Sequence, residues 1–202
     1  MTEDIKDINN ALTLNATIGN LNGVKYLIEN GADINAKDNR EDTALICAVS
    51  MGRFEIVQYL VEVGKGKNLN LNIKDKDGNT ALMWALRNGK SDVAKHLIEN
   101  DADINDRDNN ENTTLMWASI SSNNLEIVKY LIEKDICINA KGYNGNTALI
   151  IASMNGVIKV VEYLINNNAD VNIKNKKGET ALDLAKNEEI KELLTEAMKN
   201  NN

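Results

Sequence analysis

Asp75-Lys76-Asp77-Gly78-Asn79-Thr80-Ala81-Leu82 opens a stretch, running to Arg107, whose reading decides the architecture of the chain. Its first five residues are turn chemistry: Asp and Asn side chains bond to nearby backbone, and Gly accepts positive φ. Thr80 is placed to cap a helix whose apolar residues Leu82, Met83, Ala85 and Leu86 occupy neighbouring faces. Gly89 breaks that short helix. Val93, Ala94, Leu97 and Ile98 then give a second helix one apolar side, and Asp101 falls where a left-handed residue should end it. Ala102-Asp103-Ile104-Asn105 leads, extended, into the next turn, so the unit reads helix, turn, helix, hairpin.

The same grammar returns down the chain. Asn10-Ala11-Leu12, Thr43-Ala44-Leu45, Thr80-Ala81-Leu82, Thr113-Thr114-Leu115, Thr147-Ala148-Leu149 and Thr180-Ala181-Leu182 stand 33, 37, 33, 34 and 33 residues apart. A period in this range marks stacked supersecondary units, each burying an apolar flank against its neighbour. Six units are expected, over about 5–37, 38–74, 75–107, 108–141, 142–174 and 175–199, forming a single domain with 200–202 as a frayed tail. Gly31, Gly64, Asp135 and Asn168 take the place of Asp101, and all tolerate the left-handed region. Four extra residues within Gly64 to Leu71, and one within Ser121 to Asn124, read as tolerated loop insertions, because closure cost grows slowly with length. A binding role for the Lys65 and Lys67 bulge is the second reading of the larger one. The outer units read as caps: Asn10 and Asn15 depart from the pattern in the first, and a charged helix from Glu188 to Met198 closes the last.

These motifs resemble the ankyrin repeat. The residues that carry the likeness are the Asp-x-x-Gly-x-Thr-x-Leu opening at Asp75 to Leu82 and the inter-helix glycines Gly19, Gly52, Gly89 and Gly156. The Val-x-Tyr-Leu pattern of the second helices, at Val57 to Val61, Val128 to Ile132 and Val161 to Ile165, completes it. The resemblance implies an all-α repeat solenoid of helix-turn-helix units joined by β-hairpin loops. It also implies a concave face, built from hairpin tips and first helices, that binds a protein. The chain departs from the family's usual Thr-Pro-Leu-His: it has no proline, and the histidine place holds Ile46, Met83, Met116, Ile150 and Asp183. That histidine ties neighbouring repeats by hydrogen bonds in the family, so a more purely hydrophobic contact between repeats is expected here.

A formal charge of −7 and a pI near 4.9 disfavour general affinity for phosphate backbones, so no nucleic-acid partner is expected. Cys47 and Cys137 lie in different units. Helices pack about 8–10 Å apart per layer, whereas a bridge needs Cα atoms within about 7 Å, so no internal disulfide is expected. Two scattered thiols suit a reducing cytosol. The acidic opening Met1-Thr2-Glu3-Asp4 is no secretory signal, and no apolar run approaches the ~20 residues that cross a bilayer. A cytoplasmic monomer without membrane contact is the expectation. Richness in Asn, Lys and Ile, with proline absent, hints at an AT-rich genome and leaves room for an exported effector.

Residues four, seven and eight places past each opening Thr share one helix face. These are Leu14, Thr17, Ile18; Cys47, Ser50, Met51; Trp84, Arg87, Asn88; Trp117, Ile120, Ser121; and Ile151, Met154, Asn155. With the hairpin tips they supply the candidate partner-binding set: Arg40, Met51, Lys76, Asp77, Trp84, Arg87, Asn109, Asn110, Trp117, Ile120, Tyr143 and Met154. Aromatic residues are scarce at 4%, yet both tryptophans fall at one place in adjacent units. They read either as filling between helices or as contact anchors, since Trp is enriched where binding energy concentrates. Lys174, Lys176 and Lys177 read as a solvated charge run in preference to a phosphate site.

No catalytic constellation emerges. His96 is the single histidine and reads as structural or surface, which leaves too few donors for a zinc site. Gly64-Lys65-Gly66-Lys67 lacks the strand-to-helix setting of a phosphate loop. Asp103-x-Asn105-x-Arg107 lacks the glycine and terminal Glu of a calcium loop. Neither cofactor nor metal is expected. The reading is a non-enzymatic protein-interaction scaffold; the alternative is a small-ligand or nucleotide site with Trp84 and Trp117 as stacking plates and Arg87 as charge partner.

Overall fold

The computed structural model describes the backbone of residues 2–200 and the side chains of 8–199. Five hairpin loops separate pairs of short antiparallel helices. Among the described residues the helices are α1 (Thr2–Ile18), α2 (Leu21–Glu29), α3 (Ala44–Ser50), α4 (Phe54–Gly64), α5 (Ala81–Arg87), α6 (Ser91–Glu99), α7 (Thr114–Ala118), α8 (Leu125–Glu133), α9 (Ala148–Asn155), α10 (Ile158–Asn166) and α11 (Glu188–Asn200). Isolated antiparallel bridges, Lys37 to Thr43 and Arg107 to Thr113, are the only extended pairing there. This is the expected all-α repeat fold with hairpin loops.

Four opening threonines, Thr43, Thr80, Thr113 and Thr147, cap a helix, and Thr180 makes the same bond at a turn. Thr43, Thr80, Thr113, Thr147 and Thr180 accept from the backbone N–H three residues on, at 3.2–3.3 Å. The second helices are amphipathic and bury one stripe, such as Ile56, Val57, Leu60 and Val61 in α4 or Val160, Val161 and Leu164 in α10. Gly19, Gly52, Gly89 and Gly156 turn between helices at positive φ, and Gly31, Asp101, Asp135 and Asn168 end second helices there, as expected.

The chain divides into two compact units. The first holds residues up to Asn88 together with Asp92–Asp103; the second holds Gly89–Ser91 together with the chain from Ile104 onward. In the first, α1, α3 and α5 stack as one layer and α2 meets α4 in the other. Leu12, Ile28, Leu45, Ile56, Leu60, Leu82 and Leu86 form its core. In the second, α7 packs on α9, α8 on α10 and α10 on α11, around Leu115, Leu131, Leu149, Leu164, Ile190 and Leu194.

Four expectations need correction. The helix of the first unit does not begin near Asn10 but runs from Thr2 to Ile18, since no hairpin precedes Asn10 to stop it. Gly64 is not a left-handed stop: it lies inside α4, and the four-residue insertion moves the positive φ to Asn68. Gly64 serves close approach instead, because a Cβ there would stand 2.4 Å from the Leu69 side chain. The last unit has no first helix, only turns after Thr180, where Asp183 accepts from both the Thr180 N–H and its hydroxyl at 2.8 Å. These bonds hold the Asp183 carboxyl below the usual carboxylate range. Of the expected frayed tail, Asn200 belongs to α11, and 201–202 lie outside the described residues.

The fourth correction concerns how repeats hold together. The histidine places are apolar, with Ile46, Met83, Met116 and Ile150 all buried, yet the contact between repeats is not purely hydrophobic. An Asp-x-Asn turn, or Asn-x-Asn after the insertion, supplies a polar rung. Within the turn, Asp33, Asn70 and Asp170 accept from the N–H two residues on, each at 2.9 Å. Across repeats, the Asn35 carbonyl oxygen accepts from Asn70 N–H at 2.8 Å, while its amide donates to the Asn68 carbonyl at 2.9 Å. Asn72 accepts from Asp103 N–H, and Asn139 from Asp170 N–H, at 2.9 Å. Asparagine in the hairpin thus supplies a polar tie between repeats whose histidine places are apolar.

Two stability outcomes follow from these positions. Asn35→Ala removes both cross-repeat bonds and should cost about 1–2 kcal/mol in denaturant unfolding. Glu41 and Glu111 occupy the left-handed region, at φ 67° and 57°, where other hairpins place Gly78, Gly145 and Gly178. An L residue there costs roughly 1–2 kcal/mol and glycine's entropy returns roughly 0.5–1, so Glu41→Gly should stabilise by about 0.5–1 kcal/mol and raise Tm.

Candidate functional site

The hairpin tips are aimed by a carboxylate at their base. Asp38 accepts from the N–H groups of Arg40 and Asp42 at 2.8 and 3.0 Å. Asp75 does the same for Asp77 and Asn79, Asp108 for Asn110 and Asn112, and Asn175 for Lys177 and Glu179, all at 2.8–3.0 Å. A short polar side chain thus satisfies two backbone donors and leaves the intervening residues pointing outward. The second oxygen of each aspartate base remains to bind something else, and the repeats use it differently; the Asn175 amide instead donates to the Asn146 side-chain oxygen and to Glu179.

In the repeat containing Asp75, that second oxygen accepts from the Trp84 indole N–H at 2.7 Å. Trp84 is half-buried, and the Arg87 guanidinium stands 5.0 Å from its ring. Trp84 is therefore a strut between its own hairpin and its own helix, with only part of the ring left to solvent. One repeat earlier, Cys47 stands at the place of Trp84, and Arg40 takes the oxygen instead. Its Nε and Nη2 donate to Asp38 Oδ2 at 3.2 and 3.1 Å, and Nε lies 3.7 Å from Asp42. Arg40 remains exposed but is spoken for.

Ligand atoms of Asp38, Asp42 and Cys47 all lie within 4.8 Å of one another. Their surroundings argue against a metal centre. Arg40 already neutralises Asp38, burial and the neighbouring Asp38 push the Asp42 carboxyl up, and burial pushes the Cys47 thiol up. A protonated, enclosed thiol is a poor ligand. The cluster is an internal ion pair that orients the first hairpin.

Tip residues Lys76, Asp77, Asn109 and Asn110 are exposed, as are Arg87, Tyr143 and Met154. Met51 caps α3 and is also exposed. Trp117 is half-buried on α7. Ile120 is half-buried but lies beyond the end of α7 at Ala118, so the expected shared helix face does not reach it. The extra residue in that loop folds as a 3-10 turn, Ser122–Asn124, in which buried Asn124 donates to the Ala118 carbonyl at 3.2 Å. Trp84 belongs to the first unit and Trp117 to the second.

Exposure falls unevenly on the apolar side chains. The large exposed ones among the described residues are Leu14 and Ile18 at 59%, Tyr26 at 65%, Met51 at 52%, Tyr143 at 62% and Met154 at 46%. All but Tyr26 lie on a first-helix face or a hairpin tip. Leu14 and Ile18 stand at the same places past Asn10 as the candidate residues do past their threonines, yet they are missing from the candidate set. The register alone would have found them.

Thiol chemistry checks the Cys47 assignment. A disulfide reagent should modify the exposed Cys137 in the native protein and reach the buried Cys47 only in denaturant. Equal rates for both thiols in the native state would contradict the enclosed geometry.

Models of ankyrin repeats match residues 63–142 and 115–202 as three-copy arrays and 17–61 as part of a many-copy array. Putative ankyrin repeat protein L675 of Acanthamoeba polyphaga mimivirus is 33% identical over 100 residues, which are 50% of this chain and 19% of that protein. Alpha-latroinsectotoxin-Lt1a of Latrodectus tredecimguttatus is 39% identical over 82 residues, 41% of this chain and 6% of the toxin. The chain thus spans only a small part of the curated relatives it matches. Among solved structures, a chain in the complex of the Bd0816 predatory endopeptidase from Bdellovibrio bacteriovorus with immunity protein Bd3460 superposes with a TM-score of 0.77. It is 34% identical, and the likeness covers 95% of this chain and 98% of that one. An ankyrin repeat domain from Acinetobacter baumannii AYE has the same TM-score at 25% identity, covering 93% and 97%.

Proposed function

Because the chain belongs to the ankyrin-repeat family, we propose that it is a non-catalytic protein-recognition module whose partner lies across hairpin tips and first helices. Ankyrin repeats are generally protein–protein interaction domains, and among the described residues no helix is long and apolar enough to cross a membrane. The observation that carries the reading is the placement of exposed apolar side chains. A folded chain that can bury Leu12 and Leu45 nearly completely leaves Leu14, Ile18 and Met51 open on one face. Exposed apolar side chains grouped on one face mark interaction surfaces, whereas scattered ones need no explanation.

The first unit offers Leu14, Ile18 and Met51 beside Arg40, Lys76, Asp77, Trp84 and Arg87. The second offers Met154 and Tyr143 beside Asn109, Asn110, Trp117 and Ile120. Preorganisation favours this use: hairpin bases lock the tips and Asp75 locks Trp84, so little conformational entropy is lost on docking. The complex that contains the endopeptidase and its immunity protein supports a protein as the class of partner. We take the six units, from 5–37 to 175–199, to serve as one domain, acting as a cytoplasmic monomer without cofactor.

Substituting the exposed apolar residues separates recognition from folding. Met51→Asp and Met154→Asp should leave Tm within about 0.5 kcal/mol of unfolding free energy, since neither side chain is buried. Capture of the native partner from cell extract should fall by roughly 2 kcal/mol, some 30-fold, for the residue at the contact centre. Unchanged capture by both variants would remove this face from recognition.

A further inference from the structure

The hairpins differ in charge in a way that selects a partner. Residues 37–42 carry two cations and three carboxylates, 74–79 two of each, and 107–112 one cation and two carboxylates. Residues 141–146 and 174–179 carry Lys141, Lys174, Lys176 and Lys177 against a single carboxylate, Glu179. The early tips also spend their cations internally: Arg40 pairs with Asp38 and Asp42, Lys37 with Glu41 and Arg107 with Glu111.

The fold of the second unit brings the four lysines together. Lys176 N–H donates to the Asn144 carbonyl at 2.9 Å, pressing one hairpin on the next. Gly145 permits that approach, for a Cβ there would stand 2.9 Å from the Lys176 nitrogen. Lys141 Nζ reaches the Lys174 carbonyl at 3.2 Å. Lys176 Nζ stands 3.8 Å from the centre of the exposed Tyr143 ring, held by the aromatic face and not by a carboxylate. Two acids stand near: Glu179 accepts from the Asn175 amide at 3.0 Å, and Asp183 accepts from Thr180 and is stabilised in part by Lys174, so four lysines face two carboxylates.

We propose that these two hairpins are the docking site for an acidic segment of the protein partner, with Tyr143 and Met154 receiving its apolar side chains. This rests on the recognition reading above and narrows it to a partner chemistry. Within a chain of net charge −7, a corner where four lysines outnumber the nearby carboxylates, Glu179 and Asp183, is where an anionic segment gains Coulomb energy. Lysine ammonium groups spread over two loops suit several carboxylates strung along a peptide. The bidentate arginine forks that favour phosphate are absent from both hairpins. The acidic remainder of the chain opposes a long nucleic-acid backbone.

The test is an amide-resolved NMR titration of the intact chain with a blocked peptide of glutamate and leucine, at low and at physiological salt. A thymidine oligonucleotide of matching charge serves as the second probe. Shifts from the peptide should concentrate on 141–146, 174–179 and Met154, and weaken as salt rises. Lys174→Glu, Lys176→Glu and Lys177→Glu together should reduce peptide affinity by about tenfold or more, while the corresponding Lys→Arg triple retains it. Peptide shifts spread over the first three hairpins, or no loss in the Glu triple, would overturn the assignment. Equal or tighter binding of the oligonucleotide at the same lysines would overturn it in favour of nucleic acid. Partner capture that survives the Glu triple but fails with Met51→Asp would leave the recognition reading standing and end the acidic one.

Discussion

Each repeat must bury an apolar flank against its neighbour while keeping the backbone donors of its hairpin satisfied, and one short side chain at the hairpin base does the second task. Asp38, Asp75, Asp108 and Asn175 each hold two N–H groups of the loop above them. Apolar stacking supplies most of the stability, but it is non-directional. The carboxylate turns and the asparagine rungs give the stack its register.

The same base residues link architecture to recognition. At the aspartates a second oxygen remains after the turn is satisfied, and what fills it distinguishes one repeat from the next. In one case it is the Trp84 indole, which fixes a large aromatic ring at the foot of a tip. In another it is the Arg40 guanidinium, which removes a cation from the surface charge. At Gly142 the base has no side chain, and a Cβ would stand 2.5 Å from the Asn112 side-chain oxygen Oδ1. There Tyr143 N–H donates to the Asn110 carbonyl at 2.7 Å instead. The last two hairpins carry four lysines against one carboxylate, Glu179.

The departure from the family's histidine has a physical resolution. Apolar residues at that place deepen the core, as burial of Met83 and Met116 attests. A polar tie between repeats is supplied by asparagines in the extended segment. An exposed amide pair contributes less than a buried one, yet it recurs in the same geometry at successive repeats and so fixes alignment as well as adding energy.

Periodicity was legible in the residues alone, because helix caps, turn formers and apolar stripes act over a few positions and report locally. Thr43 through Thr180, the glycine turns and the second-helix stripes all stand where their spacing put them. The left-handed glutamates stand at the place of Gly78, Gly145 and Gly178, and residue type alone did not mark them, since Glu41 and Glu111 are held there by turns closed on Asp38 and Asp108. Nor did it mark the fate of Gly64, which depended on Leu69 folding back onto it. The face of the candidate site could be written from residue spacing, including Leu14 and Ile18. Which of its members are struts and which are open could not. Whether Trp84 meets Asp75, whether Arg40 is occupied and whether four distant lysines share a corner are long-range facts, settled when separate loops are brought within hydrogen-bonding distance by the packing of the helices beneath them.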